Sequence, residues 1–172
     1  MFFASESPVE RLVFADWKPK EFQGVPYQLV DPKGDRVPNA VMLYGPQGEV
    51  APKMPRTVAL DCNSPAKAIH ILGGVGGWAY NGGEPRKTTS MIVRLHYADG
   101  RTEEHPLLDG VHLADYIRPI DVPGSDRAFV LGGRQIRHVK VVPNRPDETI
   151  TRIELAKGPD RTAPVVMAVT VE

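Results

Sequence analysis

Residues 66 to 100 read AKAIHILGGVGGWAYNGGEPRKTTSMIVRLHYADG, and their pattern decides the fold class. Ala68, Ile69, Ile71 and Leu72 make a short apolar run. Further on, Met91, Val93, Leu95 and Tyr97 alternate with Ile92, Arg94 and His96 in the period-2 pattern of a half-buried strand. Two strands therefore flank a glycine-rich loop that carries Trp78 and Tyr80. The glycines Gly73, Gly74, Gly76 and Gly77 are expected to stop the first strand without starting a helix, by supplying positive-φ turns or by letting neighbouring chains pass closely.

Gly74, Gly76 and Ala79 satisfy the spacing G-x-G-x-x-A after an apolar strand, which invites a dinucleotide-binding reading. That reading needs a helix whose N-terminal amides face a pyrophosphate, and the residues that follow, YNGGEPRK, hold two glycines and a proline. The sequence excludes it on context.

Working outward, 172 residues with 17 prolines, 16 glycines and 41% hydrophobic residues describe one domain of many short elements joined by turns. A chain of this size buries roughly 70% of its unfolded surface and needs no covalent staple. Lys plus Arg equals Asp plus Glu at 21 each, so neither nucleic acid nor an anionic membrane is an expected partner. The single cysteine, Cys62, excludes an internal disulfide and a multi-cysteine zinc site, and is expected to be small buried filler. No apolar stretch approaches a membrane span, and the opening MFFASESPVERLVF lacks the basic head and long apolar body of a signal peptide.

Strands are expected at residues 9 to 14, 39 to 44, 56 to 61, 68 to 72, 91 to 97, 101 to 107, 129 to 131, 135 to 142, 149 to 155 and 165 to 171, with a short one between the turns of FQGVPYQLVDP. Asp99-Gly100 between alternating runs is the strongest hairpin signal in the chain. The stretch DGVHLADYIRPIDVPGSDRA, residues 109 to 128, is long and irregular, as functional or covering loops are. No helix of normal length, repeat or linker is found. The expected fold is an all-β, two-layer antiparallel sandwich, with a jelly roll preferred because the Cys…Trp…Cys signature of immunoglobulin domains is missing.

The chemistry-bearing residues point to binding more than to catalysis. Asp31, Asp35 and Asn39 supply oxygens at four-residue spacing, as a hard cation such as Ca²⁺ takes, although the EF-hand pattern is absent and solvated turn residues are the simpler reading. His70, His96 and His138 lie in strand-like runs, while His105 and His112 are read as loop residues. His112 with Asp115 makes a ligand-like pair that lacks a third member. Ser90, Ser125 and Cys62 sit in no nucleophile elbow. Glu84, Glu103, Glu104, Asp109, Asp115 and Asp121 leave a hydrolase acid pair as an alternative, without selecting any two. Trp78 and Tyr80, in contrast, occupy a loop too rich in glycine to bury them locally. An exposed ring offers a stacking face to a sugar. Asn81, Glu84 and Arg86 follow on one loop and His112, Asp115, Tyr116 and Arg118 on the other, with planar or charged groups that hydrogen-bond hydroxyls. The competing reading folds Trp78 back as a plug and pairs Arg118 with Asp115, giving a structural or protein-interaction module.

The segments FQGVPYQLVDP, AIHILGGVGGWAY, MIVRLHYADGRTEEHPL, GVHLADYI, DVPGS and IELAKGPDRTAPVVMAVTVE, which span nearly the whole chain from Phe22, resemble a galactose-binding-like β-sandwich domain. Such domains recur as accessory modules of large secreted or envelope proteins in planctomycete-type bacteria. In architecture they are similar to carbohydrate-binding modules attached to glycoside hydrolases. The resemblance implies a non-catalytic, glycan-binding role beside other domains of a parent protein that is secreted or periplasmic. It implies no required cofactor beyond a structural Ca²⁺ of the kind that superfamily often holds.

Overall fold

The computed structural model describes residues 12 to 34 and 36 to 172. Among them the chain forms β1 (Lys20–Phe22), β2 (Val25–Tyr27), β3 (Val41–Met42), β4 (Thr57–Ser64), β5 (Ile69–Gly76), β6 (Thr89–Tyr97), β7 (Thr102–Leu108), β8 (Asp126–Leu131), β9 (Arg134–Val141), β10 (Ile150–Lys157) and β11 (Ala163–Val171), with a single 3₁₀ turn at Ala51–Lys53. The expected all-β class is what the chain adopts. Four strands make one sheet in the order β4-β10-β6-β7 and five make the other in the order β3-β11-β5-β9-β8, with the β1-β2 hairpin apart. Every pairing between these strands is antiparallel.

The two large sheets face each other across a core of Ile69, Ile71 and Val139 from one and Val93, Leu95, Ile153 and Leu155 from the other. A second apolar layer covers the outer face of the five-stranded sheet, where Leu12, Phe14, Tyr27 and Leu29 pack on Leu72, Ile136, Val165 and Met167. Two covered faces explain why every residue of β5 is buried and why IHIL reads as an unbroken apolar run, whereas β6 alternates because its outer face meets water. That outer face carries charges that compensate one another: Glu154 accepts from Arg94 Nη1 at 2.5 Å and lies 3.0 Å from His96 Nε2, and Arg94 also meets Glu104 at 2.7 Å.

Several sequence expectations are corrected here. Of the four glycines only Gly77, at φ +77°, ends β5 in a turn; Gly73, Gly74 and Gly76 lie inside the strand. A Cβ on Gly73 would come 2.2 Å from the Val165 carbonyl oxygen, and β11 shifts register between Val166 and Ala168 beside it, so the glycine serves a close strand crossing rather than a turn. Of the segment 39 to 44 only Val41 and Met42 form a strand, with the Leu43 amide also donating to the Pro164 carbonyl, and His105 sits in β7, not in a loop. Of the strand expected at 9 to 14, residues 9 to 11 lie outside the described residues, and Leu12, Val13 and Phe14 are not in a strand. The Asp99-Gly100 hairpin forms as expected, with Gly100 at φ +85° joining β6 to β7. Cys62 is half-buried against the inter-sheet core.

Candidate functional site

The β5–β6 connection (residues 77 to 88) and the β7–β8 loop (residues 109 to 125) are knitted together at one end of the sandwich. The Ala79 amide donates to Asp115 Oδ2 (3.1 Å), the Tyr80 amide to Asp109 Oδ1 (2.8 Å), and the Asp115 amide back to the Tyr80 carbonyl (2.7 Å). The Tyr116 amide donates to the Val75 carbonyl (3.0 Å), and Lys87 and Asp109 close the base of the arm through the amide of each and the carbonyls of Asp109 and Thr88. Buried carboxylates that accept backbone amides fix the chain direction of a loop that has no regular hydrogen-bond ladder of its own.

Trp78 stands out on this frame. Its side chain is 72% exposed, and its backbone sits at φ +64°, a conformation that bulky residues rarely adopt. Strain of this kind costs on the order of 1–2 kcal/mol and persists only where surrounding contacts impose it. Here those contacts are Arg86 Nη1 donating to the Trp78 carbonyl (3.0 Å) on one side and the Ala79–Asp115 bond on the other. The indole is thus presented to solvent on a fixed backbone rather than folded back as a plug. Asn81, Glu84 and Arg86 are exposed on the same arm and Arg118 on the facing loop.

The other residues expected to face a ligand divide differently. Tyr80 is half-buried and its hydroxyl donates to the Gly83 carbonyl at 3.1 Å, closing the tip of the arm. His112 is half-buried, with its ring against Gly124 and Nδ1 accepting the Leu108 amide at 3.1 Å; burial lowers its pKa. Asp115 and Tyr116 are corrected outright, because both are buried. Asp115 accepts the Ala79 and Ile117 amides, so it orders the loops from within. Tyr116 lays its ring on β5, where a Cβ at Gly76 would come 2.8 Å from Cε1. The glycines of β5 make the seat for this ring, and no short-range signal reveals that. The pairing of Arg118 with Asp115 does not form, since the Asp115 oxygens meet backbone amides.

Sequence reasoning missed three supports. Asp109 is fully buried beneath the arm, and burial raises its pKa against the lowering effect of the Tyr80 amide. Arg137, 1% exposed, donates to Ser125 Oγ (2.6 Å), the Ile120 carbonyl (2.6 Å), Gln135 Oε1 (2.9 Å) and the Ser125 carbonyl (2.5 Å), which pins the far end of the β7–β8 loop. Asp160 holds the start of β6: it accepts from Ser90 Oγ (2.6 Å) and Lys157 Nζ (2.7 Å). Desolvation pushes its carboxyl up, but the bonds from Lys157, Ser90 and Thr162 outweigh burial and hold it below the usual range.

Ser90 and Ser125 are engaged by Asp160 and Arg137, and Cys62 lies beside Ser64. Among the described residues no three His, Cys, Asp or Glu side chains group as metal ligands. Asp31 is exposed and accepts the Lys33 amide (2.8 Å), Asn39 is buried, and Asp35 lies outside the described residues, so the described part of that set does not make a calcium site. No described helix is long and apolar enough to cross a membrane. What this end of the sandwich presents is an exposed indole whose backbone carbonyl accepts from Arg86, with Asn81 and Arg118 exposed on the two loops. No known protein family, no curated protein and no solved structure matches the chain.

Proposed function

We propose that this chain is a non-catalytic carbohydrate-binding module, a galactose-binding-like jelly roll acting as an accessory domain, which recognises glycan with the end of the sandwich that carries Trp78. The reading is supported by one observation above the rest: the indole of Trp78 is 72% exposed on a backbone held in a strained conformation by Arg86 and Asp115. A hydrophobic ring kept out of the core at a conformational cost suits a stacking platform for the apolar face of a sugar ring. Asn81, Arg86 and Arg118 supply donors for hydroxyl groups around it, and Asp109, Asp115 and Tyr116 support the loops from below. This reading assigns no acid pair, since Asp109 and Asp115 are buried and accept backbone amides.

The test is a glycan array on the wild-type chain, with and without Ca²⁺, repeated with Trp78→Ala. Saturable binding to a glycan class that is lost in the variant supports the reading. Binding that survives the substitution, or silence across a broad array, overturns it and favours a module that docks on a neighbouring domain or subunit.

A further inference from the structure

Outside the Trp78 end, two buried imidazoles lie on the outer face of the five-stranded sheet. His70 of β5 and His138 of β9 stack with ring centroids 5.3 Å apart and 15° between planes, and His70 Nδ1 lies 3.0 Å from His138 Nε2. Each has a carboxylate at its far nitrogen: Glu172 Oε2 is 3.0 Å from His70 Nε2, and Asp126 Oδ2 is 3.9 Å from His138 Nδ1. The chain of groups therefore runs Glu172, His70, His138, Asp126, from the end of β11 to the start of β8.

With both rings uncharged, the contacts assign the protons. An ionised Glu172 only accepts, so His70 donates from Nε2 and, being neutral, accepts at Nδ1. His138 must then donate from Nε2, which leaves a lone pair on Nδ1. A lone pair and a carboxylate oxygen cannot bond to each other. That accounts for the 3.9 Å gap and for Nδ1 being a buried nitrogen without a hydrogen-bond partner. Adding one proton at Nδ1 turns that end into a donor aimed at Asp126, so that His138 donates both ways, from Nδ1 to Asp126 and from Nε2 to His70, while His70 still donates to Glu172. A second proton has nowhere to go except His70 Nδ1, where two N–H groups would meet across 3.0 Å.

We propose that His70 and His138 form a one-proton switch at the foot of the β7–β8 loop. The proton comes from solvent through the cleft that Gln23, Ser125, Asp126 and Lys140 form over His138. It binds at Nδ1 and draws Asp126 in, tightening the segment that Arg137 already grips at Ser125. A second proton breaks the stack. Facing the pair are Asp126 from β8, Lys140 from β9, Tyr27 from β2 and Glu172 after β11, with Lys67 near Glu172. Burial of His138 lowers its pKa, and the neighbouring His70 and Lys140 lower it further against the pull of Asp126, so the first step falls below the ordinary histidine range. The switch rests on the geometry of the pair alone and is independent of which ligand the Trp78 end takes.

Imidazole nitrogen NMR on the intact chain from pH 8 to pH 4 tests it, with Asp126→Asn for comparison. At pH 8 both rings are expected in the Nε2–H form. The first uptake is expected to place one proton on the pair, at His138 Nδ1 and not at His70. Asp126→Asn, at an exposed position, is expected to lower the first midpoint by about one pH unit, a tenfold loss of proton affinity. An Nδ1–H form of His138 at pH 8, two rings titrating independently, or a midpoint unmoved by Asp126→Asn each overturns the proposal.

Discussion

Replacing Arg137 with methionine tests the claim that a buried guanidinium holds the β7–β8 loop. The side chain is 1% exposed and makes four hydrogen bonds, three of them to the Ile120 carbonyl, the Ser125 carbonyl and Gln135 Oε1. Arg137→Met leaves the part-buried Ile120 and Ser125 carbonyls without this donor, at about 1–3 kcal/mol each, while Gln135 Oε1 still accepts the Ile120 amide. Working against that loss, no carboxylate touches Arg137. Asp121 and Asp126 act on it only through space, and desolvation lowers its pKa, so removing the charge returns a few kcal/mol. The lost bonds outnumber the relief, and the net is a destabilisation of about 2–3 kcal/mol. For a chain of this size that is a fall in Tm of roughly 5–10 °C. Urea unfolding gives the total, and amide hydrogen exchange locates it: protection should drop across residues 109 to 125 while β6 and β10 keep theirs. A variant as stable as wild type, with loop protection unchanged, would refute the reasoning, because the guanidinium would then be a tolerated passenger.

Other outcomes follow from the same contacts. Gly76→Ala places a methyl 2.8 Å from the Tyr116 ring and should cost about 1–3 kcal/mol, read by urea unfolding; an unchanged midpoint would mean the ring has another place to go. Tyr27 is fully buried and its hydroxyl has no hydrogen-bond partner, so Tyr27→Phe should stabilise by about 1 kcal/mol, whereas a loss of that size would reveal a bound water. Burial raises the same phenol to about 12, so the stability it contributes is full below the unfolded value near 10 and is lost as pH rises through 10 to 12. The bonds that Asp160 accepts hold its carboxyl below the ordinary aspartate value of 3.8, so its contribution is present above that pH and is lost as pH falls through the folded value. Asp160→Asn should flatten the acid limb of a stability–pH profile, and an unchanged limb would place acid sensitivity elsewhere.

Where local rules decide the structure, the sequence could be read directly. Asp99-Gly100 supplies the positive φ a tight hairpin needs, and the alternation of Met91 to Tyr97 matches a strand with one wet face. β5 defeated the same rules because its determinants are remote. Gly73 answers a bulge in β11 and Gly76 answers Tyr116, neither of which is adjacent in the chain. Burial of a loop is equally illegible: Asp115 and Tyr116 look like solvent-facing polar groups until the β7–β8 loop is laid across the end of β5. The His70–His138 pair depends on register between two strands 68 residues apart. Trp78 was legible for the opposite reason, since a run of glycines leaves nothing local to cover an indole, and it is in fact exposed.

The most direct test of the central claim uses Trp78 as its own reporter. Trp17, half-buried against Phe14, is the other tryptophan, so Trp17→Phe leaves a single emitting indole. Titrating that variant with array-selected glycans should change Trp78 emission saturably, and Trp78→Gly, which suits a φ of +64°, should abolish binding while leaving stability within about 1 kcal/mol of wild type. Glycan binding that proceeds with no change in Trp78 emission, or that survives Trp78→Gly, would contradict the account.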